Sequence, residues 1–138
     1  MGQLVPQLQS LLTIERQVLG WFQPEDPSTI EDYKAPNFPA FLIDDADGNY
    51  YYGFPYQEPY GVKIGKYNHL HQRYTNPGTV DRAIHKIDED VLRQGLKTFL
   101  PGLANGTMTK AVVCCFTNTP DRHFIIDLHP KYSNVVLC

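Results

Sequence analysis

The sequence lacks the long apolar run that a membrane-spanning helix needs, and its N-terminus lacks the basic region and apolar core of a signal peptide. We therefore expect a cytoplasmic protein that does not bind membranes. Basic residues are few and scattered: 12 Lys and Arg stand against 15 Asp and Glu, and the formal net charge is -3. Because a nucleic-acid-binding surface needs clustered positive charge, nucleic acid is not expected as a partner.

Cysteine is also scarce in this chain. It has three, of which Cys114 and Cys115 are adjacent and Cys138 is the last residue. Such a set makes a poor disulfide framework and agrees with a reducing compartment. The five histidines are scattered without the paired spacing of a metal site, so the sequence predicts no bound metal.

The remaining composition is that of a folded, globular protein. The chain has 138 residues, of which 42% are hydrophobic and 20% charged, and this length suits one domain. Aromatic residues reach 12%, and several of the nine tyrosines are grouped at positions 50, 51, 52, 56 and 60. This grouping indicates either packing on a sheet or the wall of a pocket.

The first 22 residues contain two patterns. Residues 1–11 carry leucines at helical spacing, but Pro6 interrupts them and nothing caps the start, which is typical of the remnant of an upstream helix or of a linker. Apolar residues alternate over residues 12–22, with Arg16 on the apolar side. This period of two predicts a strand.

Three further strands are predicted in the first half of the chain. Residues 38–43 and 49–54 flank a turn that contains aspartates and a glycine, which predicts a hairpin. A third strand follows at residues 62–67. We expect these three strands to pair in antiparallel order.

The second half is predicted to contain one helix and three strands. Acidic residues 88–90 mark the helix N-terminus, and Pro101 ends the helix. Gly95 either weakens this helix or allows close packing. The helix has one apolar stripe, formed by Val91, Leu92, Leu96, Phe99 and Leu100. The strands are predicted at residues 111–116, 123–128 and 135–138.

These elements predict an α+β fold with a mainly antiparallel or mixed sheet and one or two flanking helices. The last strand stops without a turn or a polar tail, and the first residues look like the end of a helix. We therefore expect the chain to be truncated at both ends. Elements of this kind are common, so they do not identify a function.

A series of motifs carries a more specific signal. The segments are RQVLGWF at 16–22, YYGFP at 51–55, GVKIG at 61–65, CCFTNTPD at 114–121 and HFIIDLHP at 123–130. In order and spacing they resemble the family of monomeric sarcosine oxidase and N-methyl amino acid (N-methyltryptophan) oxidases, which are FAD-dependent amine oxidases. The resemblance covers nearly the whole chain from about residue 12 onward, and the last two segments are its most specific part.

The resemblance implies a domain assignment. In this family, whose fold is that of D-amino-acid-oxidase-like flavoproteins, a dinucleotide-binding domain holds FAD and a second domain roofs the flavin. Residues 12–138 resemble only the second, substrate-side (catalytic) domain. No G-x-G-x-x-G motif occurs among the ten glycines, so the FAD-binding domain is absent from this chain. We expect this fragment alone to bind flavin poorly and to be inactive.

The resemblance also assigns site residues. Cys114 matches the cysteine that the family joins to FAD through a thioether on the 8-methyl carbon of the flavin, a bond that requires a nucleophilic thiolate. Lys63 matches the lysine that stabilises charge on oxygen beside the flavin, and Tyr52 matches a tyrosine of the substrate pocket. The residues alone favour a small buried hydrophobe at Cys114 and a solvated strand lysine at Lys63, and they indicate a packing role for Tyr52 as readily as a pocket role. Cys115 is interpreted as packing on the opposite face.

Two pocket positions depart from the family pattern. Tyr67 stands where the family often has a histidine, and Phe116 stands where it usually has a tyrosine. His69 could replace the missing histidine if its strand continues that far. These departures leave the substrate open among N-methyl amino acids, cyclic imino acids and other secondary amines. His123, Asp127 and His129 are interpreted as structural.

The resemblance implies that the parent protein oxidises the C–N bond of a small amine by hydride transfer to FAD and passes the electrons to oxygen, which forms hydrogen peroxide. Its expected partners are the amine, molecular oxygen and the missing FAD-binding domain. Two alternatives stay open. One is a dehydrogenase or glycine-oxidase-like relative with non-covalent flavin, and the other is a module that binds a small ligand in the tyrosine cluster without catalysis.

Overall fold

The computed structural model describes residues 5–138. Its strands are β1 (Thr13–Phe22), β2 (Phe41–Asp44), β3 (Tyr50–Gln57), β4 (Gly61–Lys66), β5 (Arg73–Tyr74), β6 (Met108–Asn118), β7 (Asp127–Leu128) and β8 (Val136–Leu137). The α-helices are α1 (Pro6–Gln9) and α2 (Lys86–Phe99), and short 3-10 helices lie at Pro27–Tyr33, Pro77–Thr79 and Pro101–Leu103. No helix in this part of the chain is long and apolar enough to cross a membrane.

Six strands form one antiparallel sheet around β1. Strand β6 pairs with β1 along its whole length, whereas β4 and β5 pair with different halves of it. Strands β2 and β3 extend the sheet beyond β4. The α+β prediction and the antiparallel arrangement of the first hairpin and third strand are therefore confirmed.

Helix α2 packs on one face of this sheet because its apolar stripe contacts the apolar side chains that alternate along the strands. Leu92 and Leu96 are fully buried against a core that includes Val18 of β1 and Ile64 of β4. A side chain at Gly95 would place its Cβ 2.4 Å from the ring of Tyr51, so this glycine serves close packing of the helix on β3. The helix begins at Lys86, two residues before the predicted acidic start.

A buried ion pair anchors α2 to the centre of the sheet. The two guanidinium nitrogens of Arg16 lie 2.7 and 2.8 Å from the two carboxylate oxygens of Asp88, and both side chains are almost completely buried. Asp88 also accepts a hydrogen bond from the backbone N–H of His85, with which it forms the capping box of α2. Burial opposes ionisation of Asp88, but its hydrogen bonds, led by Arg16, lower its pKa to about 2.

Both ends of the chain differ from the sequence prediction. The strand predicted at 123–128 is only Asp127–Leu128, which pairs with β8 in a separate two-stranded sheet. Its preceding residues include exposed Phe124 and Ile126, because no neighbouring strand covers them among the described residues. Pro6 starts α1 rather than interrupting it, as its missing N–H and fixed φ allow at a first helical position. The leucine at position 4 of the predicted pattern lies outside the described residues.

Candidate functional site

The face of the sheet opposite α2 carries every site residue that the resemblance assigns. Cross-strand register fixes this, because directly opposed residues of an antiparallel pair share a face. Trp21 of β1 is opposed to Lys63, and Gln17 of β1 is opposed to Cys114. Tyr52 is opposed to Gly65, two residues after Lys63. We call this surface the open face; it is formed by Glu15, Gln17, Leu19, Trp21, Leu42, Tyr52, Phe54, Lys63, Gly65, Lys110, Val112, Cys114 and Phe116.

Cys114 lies exposed near the middle of β6. Its neighbour Cys115 is half-buried and is opposed to Arg16, which places it on the α2 side of the sheet. The alternation of a strand thus turns two adjacent thiols to opposite faces. Only Cys114 is available to a molecule on the open face.

Tyr52 lies on the same face, on β3, which β4 and β1 separate from the β6 strand of Cys114. Burial raises the pKa of the Tyr52 hydroxyl above its ordinary value, and the charge of Cys114 raises it further. The hydroxyl oxygen occupies the space above Gly65, where an added Cβ would lie 2.8 Å from it. The phenol therefore stays neutral near pH 7 and can donate or accept a hydrogen bond.

Lys63 lies between two aromatic rings on the same face. Its Nζ is 5.3 Å from the ring centroid of Trp21 and 5.1 Å from that of Phe54. Both rings belong to residues directly opposed to Lys63 on the neighbouring strands. In residues 5–138, no carboxylate lies within ion-pair distance of this ammonium group.

The two residues that depart from the family pattern contact each other. Tyr67 directly follows β4, and its ring centroid is 5.5 Å from that of Phe116 on β6. Phe116 is opposed to Glu15 of β1. The structure therefore brings Tyr67, Phe116, Cys114, Tyr52 and Lys63 to one surface. Their positions in the sequence did not by themselves predict this grouping.

His69 does not reach the open face. Strand β4 ends at Lys66, and Asn68 adopts a left-handed φ of 57°, so the condition for His69 to continue the strand is not met. Its Nε2 lies 3.0 Å from a carboxylate oxygen of Asp88, in the buried anchor on the α2 side. Burial lowers the pKa of His69, and the nearby Asp88 only partly opposes this shift. The suggestion that His69 replaces the family histidine is therefore wrong for this structure.

Two buried polar residues on the open face were not predicted from the sequence. Glu15 and Gln17 are 0% and 1% exposed. Glu15 accepts hydrogen bonds from Gln17 at 3.4 Å and from Asn118 at 3.1 Å, and the Arg73 Nε lies 3.8 Å away. Oε1 of Gln17 has no hydrogen-bond partner among the described residues. The alternation of β1 could have indicated their position, because it turns Glu15 and Gln17 to the face opposite that of Arg16.

The remaining histidines and acids of the matching segment lie away from this face. Nδ1 of His129 accepts hydrogen bonds from the backbone N–H groups of Lys131 and Tyr132, and its ring stacks on Tyr132 at 4.8 Å. His123 and Asp127 are exposed. In the described part of the chain, no group of three or more His, Cys, Asp or Glu residues could hold a metal ion.

Comparison with known proteins supplies relatives over nearly the whole chain. No family model matches. The chain is 41% identical over 124 residues to monomeric sarcosine oxidase from Bacillus sp., a match that covers 88% of the chain and 30% of that protein. It is 31% identical over 134 residues to N-methyl-L-tryptophan oxidase from Citrobacter koseri, which covers 97% of the chain and 34% of that protein.

The fold is also similar to solved structures. Fructosyl amine: oxygen oxidoreductase (Amadoriase I) from Aspergillus fumigatus matches with a TM-score of 0.66 and 23% identity over 94% of the chain and 30% of that protein. At this identity the likeness speaks for the fold alone, and it agrees with the predicted α+β class. The chain spans about a third of the length of the curated relatives. Sequence and fold together identify it as a relative of the monomeric sarcosine oxidase and N-methyl-L-tryptophan oxidase family.

Proposed function

We propose that the protein to which this chain belongs oxidises the C–N bond of a small amine, with FAD as the hydride acceptor and oxygen as the final electron acceptor. The relatives bear the names of oxidases of sarcosine and N-methyl-L-tryptophan, which are both N-methylated amino acids. Of the substrates left open by the sequence, N-methyl amino acids are therefore the class to test first. The products are an imine and hydrogen peroxide.

The observation that carries the proposal is the grouping of an exposed thiol, an ammonium group without a carboxylate and a neutral phenol on the open face. In this proposal a flat heterocycle lies on this face and contacts the three groups. FAD would supply the redox chemistry. The donor set fits this group, because Cys114 is exposed and Lys63 has no carboxylate partner among the described residues.

Each side chain has a distinct role in this proposal. Cys114 would hold the cofactor through a thioether, which its thiolate can form. Lys63 would place a fixed positive charge where negative charge develops on oxygen, so its stabilisation requires no rearrangement. Tyr52 would orient the amine through its hydroxyl, and Tyr67 and Phe116 would form an apolar wall of the pocket.

The greater length of the relatives indicates which parts of the protein lie outside this chain. We infer that residues 12–138 form the substrate-side domain and that a dinucleotide-binding domain elsewhere in the polypeptide holds most of FAD. The 138-residue chain alone would then hold little flavin and be inactive. Its free cysteines suit a cytoplasmic location.

The adjacent cysteines provide the test of the cofactor anchor. Cys114→Ser and Cys115→Ser are made in the intact protein, which is then precipitated with acid, and the visible absorbance of pellet and supernatant is measured. We expect flavin in the supernatant for Cys114→Ser and in the pellet for Cys115→Ser, because only the former thiol lies on the open face. Colour retained in the Cys114→Ser pellet would place the anchor elsewhere.

The reaction itself is tested with the intact protein and a panel of N-methyl amino acids, cyclic imino acids and simple secondary amines. Hydrogen peroxide is measured, and oxygen consumption is followed in parallel. We expect equal amounts of peroxide formed and oxygen consumed with at least one N-methyl amino acid. Flavin reduction by an amine without oxygen uptake would favour the dehydrogenase alternative, and a protein that binds no flavin would rule out the proposal.

A further inference from the structure

The ammonium group of Lys63 differs in its environment from the lysines of this chain that form ion pairs. Nζ of Lys34 is 2.8 Å from Glu31 and 3.1 Å from Glu58, and Lys86 pairs with Asp90. Lys63 instead contacts the faces of Trp21 and Phe54. An ammonium–carboxylate pair has no net charge, whereas an ammonium group on aromatic rings keeps its full positive charge. The rings therefore hold Lys63 without neutralising it.

Of the two rings, that of Trp21 is fixed. Trp21 is only 7% exposed, and its Nε1 donates a hydrogen bond of 2.9 Å to the side-chain oxygen of Gln57. This bond joins β1 to β3 across β4, on which Lys63 lies, and so it fixes the orientation of the indole. Phe54 is 43% exposed and makes no such bond in the described structure. The position of the ammonium group is thus set mainly by Trp21.

Lys110 contacts the same indole from the other neighbouring strand. Its Nζ is 4.9 Å from the centroid of Trp21 and 4.3 Å from that of Tyr60. It therefore resembles Lys63 in charge, strand position and ring contact, but it has Tyr60 as its second ring. The signals of Lys110 and Lys63 must therefore be assigned separately in any measurement of the indole contact.

We propose that Trp21 is a positioning residue that holds the Lys63 ammonium group over the open face by a cation–π contact. The inference rests on the proposed oxidase function for its purpose, which is to keep an uncompensated positive charge where oxygen is reduced. It does not rest on that function for the contact itself. The two parts are therefore tested by separate measurements.

The contact is tested in the 138-residue chain by reductive methylation of its lysines with ¹³C-formaldehyde and by NMR. Dimethylation keeps the positive charge, and Lys63→Met and Lys110→Met assign the two signals. We expect the ring current of Trp21 to shift the Lys63 methyl signal upfield of that of Lys97, which is exposed on α2. The shift should decrease in Trp21→Leu to the part that Phe54 causes, and it should be largely retained in Trp21→Phe. A Lys63 signal that does not move in Trp21→Leu overturns the proposal, whatever the flavin content.

The purpose is tested in the flavin-loaded intact protein by stopped-flow kinetics of its two half-reactions. We expect Trp21→Leu to slow reoxidation by oxygen at least tenfold, a part of the roughly 10²–10³-fold loss that follows removal of a preorganised group. Anaerobic reduction by the amine should be nearly unchanged, Trp21→Phe should retain most of the reoxidation rate, and Lys97→Met, at an exposed lysine of α2, should behave as the unmodified protein.

A double variant separates positioning from a general structural effect. If Trp21 acts through Lys63, Trp21→Leu should cause no further loss of reoxidation rate in a Lys63→Met background. Additive losses would overturn the positioning role. Circular dichroism shows whether the Trp21→Leu protein folds. If it does not, Trp21→Phe becomes the test, because its smaller ring should give a smaller upfield shift of Lys63. If no flavin binds, the oxidase proposal fails while the NMR result stands.

Discussion

The two faces of the central sheet are built from alternate residues of the same strands, yet they differ in kind. On the α2 side, charged groups are buried and paired, as Arg16 and Asp88 are, and Leu92 and Leu96 have no exposure. On the open face, a thiol and large apolar side chains are exposed, and Leu42 reaches 71%. The exposed groups of the sheet described above thus lie on the open face, although Glu15, Gln17 and Trp21 of β1 are buried on that face as well.

The difference in burial predicts different tolerance to substitution. A change on the α2 side leaves a cavity or an unpaired charge, whereas most changes on the open face leave a surface that water can fill. Four stability measurements test this difference between the faces.

The largest effect is expected for Arg16→Met, which leaves the Asp88 carboxylate buried without its bidentate partner. Removing one member of a buried ion pair costs about 3–5 kcal/mol of unfolding free energy. The measurement is urea denaturation followed by circular dichroism. Arg82→Met, at an exposed arginine, is the control and should change stability by less than about 0.5 kcal/mol. A loss for Arg16→Met within the range of this control would mean that the ion pair does not anchor α2.

A second comparison uses the same substitution on the two faces. Leu96→Ala removes a side chain with no exposure and should lower the unfolding free energy by about 2–5 kcal/mol. Leu42→Ala, at a leucine that is 71% exposed, should lower it by less than about 0.5 kcal/mol. Thermal and urea denaturation give both values. Equal losses would show that the open face is as closely packed as the other.

Acid should weaken the α2 side through Asp88 and His69. The pKa of Asp88 is lowered to about 2 from an unfolded value of 3.8, so its contribution of about 2 kcal/mol is present above pH 3.8 and is lost as the pH falls towards 2. The pKa of His69 is also lowered, so the unfolded state takes up its proton first and stability falls as the pH decreases below about 6.5. Urea denaturation at a series of pH values measures both. In Asp88→Asn, the loss between pH 3.8 and 2 should become smaller by about 2 kcal/mol, and the part that remains comes from the other aspartates whose pKa is lowered.

The smallest effect tests the open face itself. In Gly65→Ala the new methyl group would lie 2.7 Å from both the Leu19 side chain and the Tyr52 ring. Both side chains can move, so we expect a loss of about 1 kcal/mol, the lower end of the cost of overpacking. A shift in the phenol absorbance titration of Tyr52 should accompany it, because the ring is displaced from its partly buried position. No change in either measurement would mean that the side chains around Gly65 are not closely packed.

Local patterns in the sequence predicted much of the fold. The alternation over 12–22 gave β1 and put Arg16 on the helix side, and the turn at 44–48 gave the β2–β3 hairpin. The strand predicted at 123–128 was wrong except for its last two residues, and β4 does not continue to His69, because both depend on whether a neighbouring strand is present. Strand pairing is non-local, and the period of two cannot report it.

The candidate site required more than local patterns. The resemblance selected Cys114, Lys63 and Tyr52, but only the register of β3, β4, β1 and β6 places them on one face. The aromatic environment of Lys63 and the buried Glu15 and Gln17 were not predicted. They arise from residues that are distant in sequence and become neighbours only after the strands pair.

Asp88 gives one further consequence, since it is at once the third residue of α2 and the partner of Arg16. Helix ends normally open and close independently of the rest of a protein, and their amide protons exchange with solvent accordingly. Here the first turn cannot unwind without also releasing the guanidinium group at the middle of the sheet. The start of α2 should therefore exchange its amide protons as slowly as β1 does, so that helix and sheet open as one cooperative unit.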